Sequence, residues 1–357
     1  MIIITNTIKA AFKMLHTSSQ KLIKNGSNAF LLLLLFVFAI LGVLGCMILA
    51  ISLGAKEVTF HTVLSAIFNY NPRLTEQQII HELRLPRVIG AAIVGASFAV
   101  AGCLMQGVTR NPLADAGILG INSGAMFIVT LCFAFFPGIP YSLLMIFSFI
   151  GAVLSTLLIF LIGSSVPGGL TPMRLTISGA VIAALLHSLS AGVAIYFDLN
   201  QDLAFWYAGG VAGIKWDHLK VLVPVILITI IWGITMGRYV SLISLGDDIA
   251  KGLGMKVTLI KVVSIIIAVI LAGVSVSAVG SIGFIGLVIP HISRKLVGVD
   301  YRLIIPMSAL LGSILLIVAD LAARTINPPR ELAIGILVAL VGVPFFLYIA
   351  RKTGRDL

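Results

Sequence analysis

The chain has 357 residues, of which 59% are hydrophobic and only 10% are charged, whereas about a quarter of the residues of an ordinary soluble domain are charged. This composition excludes a water-soluble globular protein. The formal charge of +11 would suggest nucleic-acid binding if the basic residues formed one soluble face. Here they lie between apolar runs, so nucleic acid is not an expected partner.

The apolar residues fall into separate runs of roughly twenty, the length that a helix needs to cross about 30 Å of hydrocarbon. We therefore predict an all-α, polytopic membrane protein with about ten transmembrane helices. The predicted spans are 29–53, 88–108, 114–136, 140–163, 173–197, 219–237, 258–280, 282–297, 303–325 and 332–350. The eighth of them is short.

The N-terminal segment before the first span, 1–28, contains four lysines and no acidic residue, which predicts a basic cytoplasmic extension followed by a transmembrane domain over 29–357. Ten spans would return the C-terminal tail to the cytoplasm. With this topology sixteen of the 24 Lys and Arg residues lie inside and eight outside. That bias agrees with the positive-inside rule, and lipid is the expected surrounding.

Glycines are frequent within the predicted spans, including Gly95, Gly102 and Gly286. Membrane helices lack a hydrophobic force between them, so small residues that allow close backbone approach favour tight packing. The long loop from about Gly54 to Pro86 is expected outside the membrane, with a short interfacial helix around 58–68.

Three arginines contradict the positive-inside rule. Arg84 and Arg87 lie where the second span begins, and Arg324 lies at the outer end of the ninth. Exposed guanidiniums at this face are suited to carboxylates of a docking protein or ligand. The alternative is that they reach lipid phosphates or pair locally, for instance Arg324 with Asp320 one turn earlier.

Ionisable residues at membrane depth are scarce: Asp320 is the one acidic residue expected there, and His187 is the one histidine near a span centre. Ion-coupled carriers usually need more of them. The sequence also contains no phosphate-binding loop, metal-ligand pattern or nucleophile elbow. If the protein moves a solute uphill, a partner must supply the energy.

The largest cytoplasmic loop, 238–257, is the natural contact for such a partner. Its apolar residues recur at helical spacing between Gly246 and Gly254, which suggests one or two short helices lying across the membrane face. A plain connection between spans explains the same pattern.

Four segments together resemble the FecCD family of ABC-transporter permeases, which import iron siderophores, haem or cobalamin. They are Arg84-Leu85-Pro86-Arg87; Asn111-Pro112-Leu113-Ala114-Asp115 with Leu119-Gly120; the Leu245 to Gly254 loop; and Gly283-Phe284-Ile285-Gly286-Leu287-Val288-Ile289-Pro290-His291 with Arg294. Asp115 stands where members of the family often have Glu.

The resemblance implies a type II ABC importer permease fold, two permease subunits around one pathway, two ATPase subunits below and a solute-binding protein above. It assigns binding-protein docking to Arg84, Arg87 and Arg324. The coupling segment for the ATPase would comprise Gly246, Asp247, Asp248, Ala250, Leu253 and Gly254, with Ala250 and Leu253 on the docked face. Structural roles fall to Asn111, Pro112, Gly283, Gly286, Pro290 and His291.

The expected function is therefore the permease of an importer in a bacterial cytoplasmic membrane, for an iron–siderophore complex, as a homodimer or with a related permease. ATP would be used by the partner, and neither an enzymatic activity nor a bound metal or cofactor is expected of this chain. Haem or cobalamin is the alternative cargo, and a stand-alone secondary carrier is the alternative class.

Overall fold

A computed structural model describes residues 28–54, 58–165, 172–328 and 330–353. Residues 1–27 of the predicted basic extension lie outside these ranges. Within them all regular elements are helices, so the predicted all-α class is confirmed. The helices are α1 Asn28–Ser52, α2 Phe60–Phe68, α3 Thr75–Gln78, α4 Leu85–Thr109, α5 Ile121–Phe135, α6 Tyr141–Ser164, α7 Pro172–Tyr196, α8 Asn200–Ala208, α9 Trp216–Ser244, α10 Asp247–Gly252, α11 Val257–Val279, α12 Ile285–Val297, α13 Tyr301–Thr325 and α14 Ile334–Thr353.

Each of the ten predicted spans overlaps one of these helices over most of its length. Seven helical stretches of the described residues are long and apolar enough to cross a membrane, and Ile121–Phe135 and Ile334–Leu347 are shorter apolar helices. α12 has 13 residues, which gives a length of roughly 20 Å. This agrees with the short eighth span predicted from the sequence. The predicted interfacial helix is α2, with Thr59 as its N-cap.

α4 is the central helix of the bundle, and most of its residues between Pro86 and Val108 are buried. It packs against α13, α11, α9 and α12. Close backbone approach makes this possible: a Cβ built on Gly102 would lie 2.1 Å from the Gly286 carbonyl oxygen, and one on Gly95 would lie 2.2 Å from that of Gly312. The small residues therefore bring α4 into backbone contact with α12 and α13, as their positions predict.

The entry into α4 differs from the sequence-based expectation of a loop that ends at Pro86. Helix α3 continues through a π-helical turn, Ile79–Arg84, directly into α4. In that pattern Leu85 donates to the Ile80 carbonyl, and Pro86 has no N–H for the next acceptor, His81. The Trp216 indole donates to this carbonyl instead, at 2.8 Å. Arg84 and Arg87 are consequently held on one continuous helix.

Candidate functional site

The three singled-out arginines lie together at one end of the bundle, in a group that we call the arginine cluster: Arg84, Arg87, Asp320, Arg324 and Glu331. Arg87 Nε donates to Asp320 Oδ1 at 2.8 Å. Its two terminal nitrogens donate to the two Glu331 carboxylate oxygens, each at 2.8 Å. Arg324 Nε lies 3.3 Å from Asp320 Oδ2, so the local pairing of Arg324 with Asp320 is present.

Arg84 and Arg324 also hold the end of α1. Arg84 Nη1 donates to the carbonyls of Ile51 and Ser52, at 2.6 and 3.1 Å, and Arg324 Nη2 donates to that of Ala50 at 2.8 Å. The last carbonyls of a helix have no partner within it and form its negative end, so a guanidinium satisfies both their hydrogen bonding and their charge. Two of the three arginines thus fasten the first span to the rest of the bundle.

This arrangement corrects the expectation that the arginines are freely exposed. Arg84 is 7% exposed and Arg324 is 9% exposed, because their side chains turn inward to the α1 carbonyls. Arg87 is 12% exposed, and Glu331 is 44% exposed. The Arg87–Glu331 pair is therefore the part of the cluster nearest to solvent. The docking role of the three arginines remains a prediction.

The arginine cluster borders a cavity of about 820 Å³ between the ends of α1, α9, α13 and the π-helical turn. Four basic and three acidic side chains line it, and they are Arg84, Arg87, Lys215, Arg324, Glu82, Asp217 and Glu331. The charges that line this recess are therefore mixed, with one more positive than negative side chain.

The 245–254 segment lies at the opposite end of α4. The 25 residues of this helix span roughly 37 Å. Beyond its C-terminal end, Arg110 Nη2 is 3.5 Å from Asp247 Oδ1, and Lys261 Nζ on α11 donates to Asp247 Oδ2 at 2.6 Å. Asp247 therefore joins α10 to both α4 and α11.

The electrostatics of Asp247 suit this joining role. Partial burial raises the pKa of its carboxyl, but the hydrogen bond and charge of Lys261, with the charge of Arg110, outweigh burial and lower the pKa below its ordinary value. The carboxylate is thus ionised at neutral pH.

Two of the three glycines of this segment have conformations that favour glycine. Gly246 precedes α10 with a φ of +136°, and Gly254 follows it with a φ of +79°, so side chains at either position would strain the backbone. The predicted short helix and its sharp ends are present.

The outer face of this segment differs from the predicted one. Ala250 is fully buried against Ile243 and Val257, so it does not form a docked apolar face with Leu253. Instead Leu245, Ile249 and Leu253 are 64%, 54% and 62% exposed. Ile249 and Leu253 are four residues apart, and the Leu253 amide donates to the Ile249 carbonyl, so these two lie on one side of a helical turn. Leu245 precedes Gly246, whose non-helical backbone separates it from α10. The helical spacing of Ile249 and Leu253 is visible in the sequence, but propensity alone does not tell which apolar residues face outward.

The remaining motif residues bring two distant segments together. Asn111 Oδ1 accepts from the Leu113 amide at 3.0 Å, and Asp115 Oδ1 accepts from the Ala116 amide at 2.9 Å, which folds the turn that contains Pro112. A Cβ on Gly286 would lie 2.4 Å from Asp115 Oδ1. The Asn111 turn therefore packs directly onto the start of α12.

The other motif positions of the fourth segment, Gly283, Pro290 and His291, differ in how closely they are packed. A Cβ on Gly283 would meet nothing within 4 Å. Pro290 is buried within α12, and the His291 ring packs edge-on against Phe345 with centroids 5.7 Å apart. Among the described residues, no group of three His, Cys, Asp or Glu side chains is arranged to hold a metal ion. The absence of a bound cofactor remains a prediction.

Two groups of contacts have no signal in the sequence. Glu331 is 244 residues from Arg87, and Lys261 and Arg110 are ordinary basic residues at the ends of spans. Only the packing of α4 against α11 and α13 brings these charges together.

Comparison with known proteins identifies the chain's relatives. A sequence profile of the FecCD transport family matches residues 24–352. The iron(3+)-hydroxamate import system permease protein FhuB of Bacillus subtilis (strain 168) is 50% identical over 309 residues, which cover 87% of this chain and 80% of the relative. The iron-uptake system permease protein FeuB of the same organism is 44% identical over 310 residues, covering 87% of this chain and 93% of the relative.

A solved structure shares the fold. The structure of a metal-chelate type ABC transporter in an inward-facing conformation matches with a TM-score of 0.79 and 28% identity, and the match covers 89% of this chain and 98% of that one. The predicted type II importer permease fold and the proposed resemblance are thereby confirmed. The chain is a multi-pass membrane permease and belongs to the FecCD transport family.

Proposed function

We propose that this permease carries an iron(III)–siderophore complex across a bacterial cytoplasmic membrane. The observation that supports this cargo class is the 50% identity, over 309 residues, to a permease named for import of iron(3+)-hydroxamate. A second relative at 44% identity is named for iron uptake. The permease would act with a second permease subunit, either another copy or a relative.

The end of the bundle that carries the arginine cluster would face outward and receive a solute-binding protein, with Arg84, Arg87 and Arg324 as the docking residues. Arg87 would make the direct contact, because it is the most exposed of the three arginines. Arg84 and Arg324 would add positive charge to the lining of the cavity while they donate hydrogen bonds to the last carbonyls of α1. Partly exposed ion pairs contribute at most about 1 kcal/mol each, so their main effect would be on encounter and orientation.

The 245–254 segment at the other end would contact an ATPase in the cytoplasm. Ile249 and Leu253 form an exposed apolar stripe along α10, with the exposed Leu245 just before the helix, and such a stripe suits an apolar groove on a partner. Asp247 would transmit force rather than touch the partner, since its carboxylate faces Arg110 and Lys261. Both termini of the chain would lie on this side.

Reconstitution tests the transport function. Proteoliposomes that contain the permease, its cognate ATPase and binding protein should accumulate radiolabelled iron as a hydroxamate siderophore complex, with a strict requirement for ATP. Unlabelled haem or cobalamin in excess should not compete. Uptake by the permease alone that collapses with the proton gradient would instead establish the secondary-carrier alternative.

Charge reversal tests the docking role. Arg87→Glu should weaken binding of the purified binding protein to the permease in nanodiscs, because it places a negative charge at the cavity mouth. Lys220→Glu is the matched control: Lys220 is exposed, pairs with Asp217 at 2.7 Å and does not line the cavity. Equal binding by the two variants would contradict docking at the cluster.

A further inference from the structure

Each of the three nitrogens of the Arg87 guanidinium has a carboxylate partner within the chain. Nε donates to Asp320, and the two terminal nitrogens form a forked pair with Glu331 at 2.8 Å on each arm. A forked guanidinium–carboxylate pair is the geometry that an incoming carboxylate would itself adopt. A partner's carboxylate can therefore engage Arg87 in this way only after Glu331 has left.

The two carboxylates that hold Arg87 differ in their freedom to leave. Asp320 lies within α13 and is fully buried, so its departure would require the helix to move. Glu331 lies between α13 and α14, in a connection whose described residues, 326–328 and 330–333, form no helix, and its side chain is 44% exposed. The neighbouring Leu332 amide is hydrogen-bonded to the Ala323 carbonyl at 3.0 Å, which anchors the connection without restraining the carboxylate itself.

We propose that Glu331 is an internal stand-in for a carboxylate of the solute-binding protein: it occupies the fork of Arg87 while the docking face is empty and is displaced when the partner binds. This inference rests on the proposed docking function. Asp320 would keep the guanidinium in place during the exchange, so that the partner meets a preorganised arginine.

The stand-in has two physical consequences. An unpaired guanidinium at the cavity mouth would attract any anion, and Glu331 prevents this until a better-fitting carboxylate arrives. It also lowers the apparent affinity for the partner, because only the fraction of permease with an open fork can bind. The hydrogen bond from Arg87 lowers the pKa of Glu331 more than burial raises it, and the charge of Arg87 lowers it further. Glu331 is therefore charged at neutral pH, where it competes for the fork.

The test measures the dissociation constant of the purified cognate binding protein for the permease in nanodiscs. Glu331→Gln removes the competing charge and should tighten binding roughly two- to fivefold, the range for one partly exposed ion pair. Glu82→Gln is the matched control: Glu82 lines the same cavity but pairs with His81, so it reports the general effect of removing one negative charge. Gel filtration of both variants checks that they remain folded.

A double variant tests whether the tighter binding caused by Glu331→Gln depends on Arg87. In an Arg87→Ala background, Glu331→Gln should no longer tighten binding. Binding by Glu331→Gln that is unchanged, weaker or tightened only as much as by Glu82→Gln would overturn the stand-in role. If Arg87→Glu also leaves binding unchanged, the docking function itself is wrong, so the two failures are distinguishable.

Discussion

The contact between Gly95 and Gly312 provides a direct test of how α4 is held in the bundle. In Gly95→Ala the new Cβ would lie 2.2 Å from the Gly312 carbonyl oxygen and 2.8 Å from Leu316 Cβ. Ordinary contacts between carbon atoms are at about 3.5–4.0 Å, so α4 and α13 would have to separate by about 1 Å. The nearest obstacle is backbone, which no change of rotamer relieves. We expect a loss of about 1–3 kcal/mol in stability and a fall in the melting temperature of about 2–6 °C.

Gly45→Ala is the control for this substitution. Gly45 lies within α1, and a Cβ there would meet nothing within 4 Å, so the exchange should be neutral or stabilise the helix by about 0.5–1 kcal/mol. Thermal unfolding of both purified variants in the same detergent, followed by tryptophan fluorescence, makes the comparison. Equal melting temperatures would show that α4 and α13 are not in backbone contact.

Three further predictions concern charge and coupling. Asp320→Asn leaves buried arginines without their compensating charge and should cost about 3–5 kcal/mol, measured as loss of folded protein in gel filtration; unchanged yield and melting would refute it. Asp247→Asn should reduce ATP-driven uptake while binding-protein docking is unchanged, because it weakens the contacts of α10 with Arg110 and Lys261. Because the pKa of Asp247 is lowered on folding, its ion pairs are fully present above about pH 3.9 and are lost only at lower pH, so uptake should not change through this residue between pH 8 and 5. Ile249→Ser should reduce co-purification of the ATPase, and a full complement of ATPase would contradict the docked stripe.

The sequence predicts the number and order of the long helices well, because a continuous apolar run of about twenty residues has few alternatives in a bilayer. It does less well where a helix continues past the apolar run. The polar residues before Leu85 suggest a loop, yet the chain remains helical from Thr75 onward. The reason is tertiary: the Trp216 indole satisfies the carbonyl that Pro86 leaves free, and a sequence pattern does not contain that contact.

For the candidate sites, too, the sequence predicts the positions of residues better than the directions of their side chains. The anomaly of outer arginines is visible in the charge distribution, and the structure places the three of them together at one end of the bundle. The direction of each side chain is not visible, because it depends on the α1 carbonyls and on two carboxylates from a distant part of the chain. Likewise the spacing of Ile249 and Leu253 predicts a helical face, but only the packing of Ala250 shows that this face is the outer one.

α4 connects the two sites physically. Its N-terminal end carries Arg87, its C-terminal end leads to Arg110, and its backbone touches two other helices through Gly95 and Gly102. A helix that is packed this closely resists bending, since interiors have little free volume to absorb a local shift. A displacement of Asp247 by a partner is therefore expected to move α4 as one body and to reach the arginine cluster with little loss. Substitutions that loosen the glycine contacts should then reduce coupling between the two ends even where both docking surfaces remain intact.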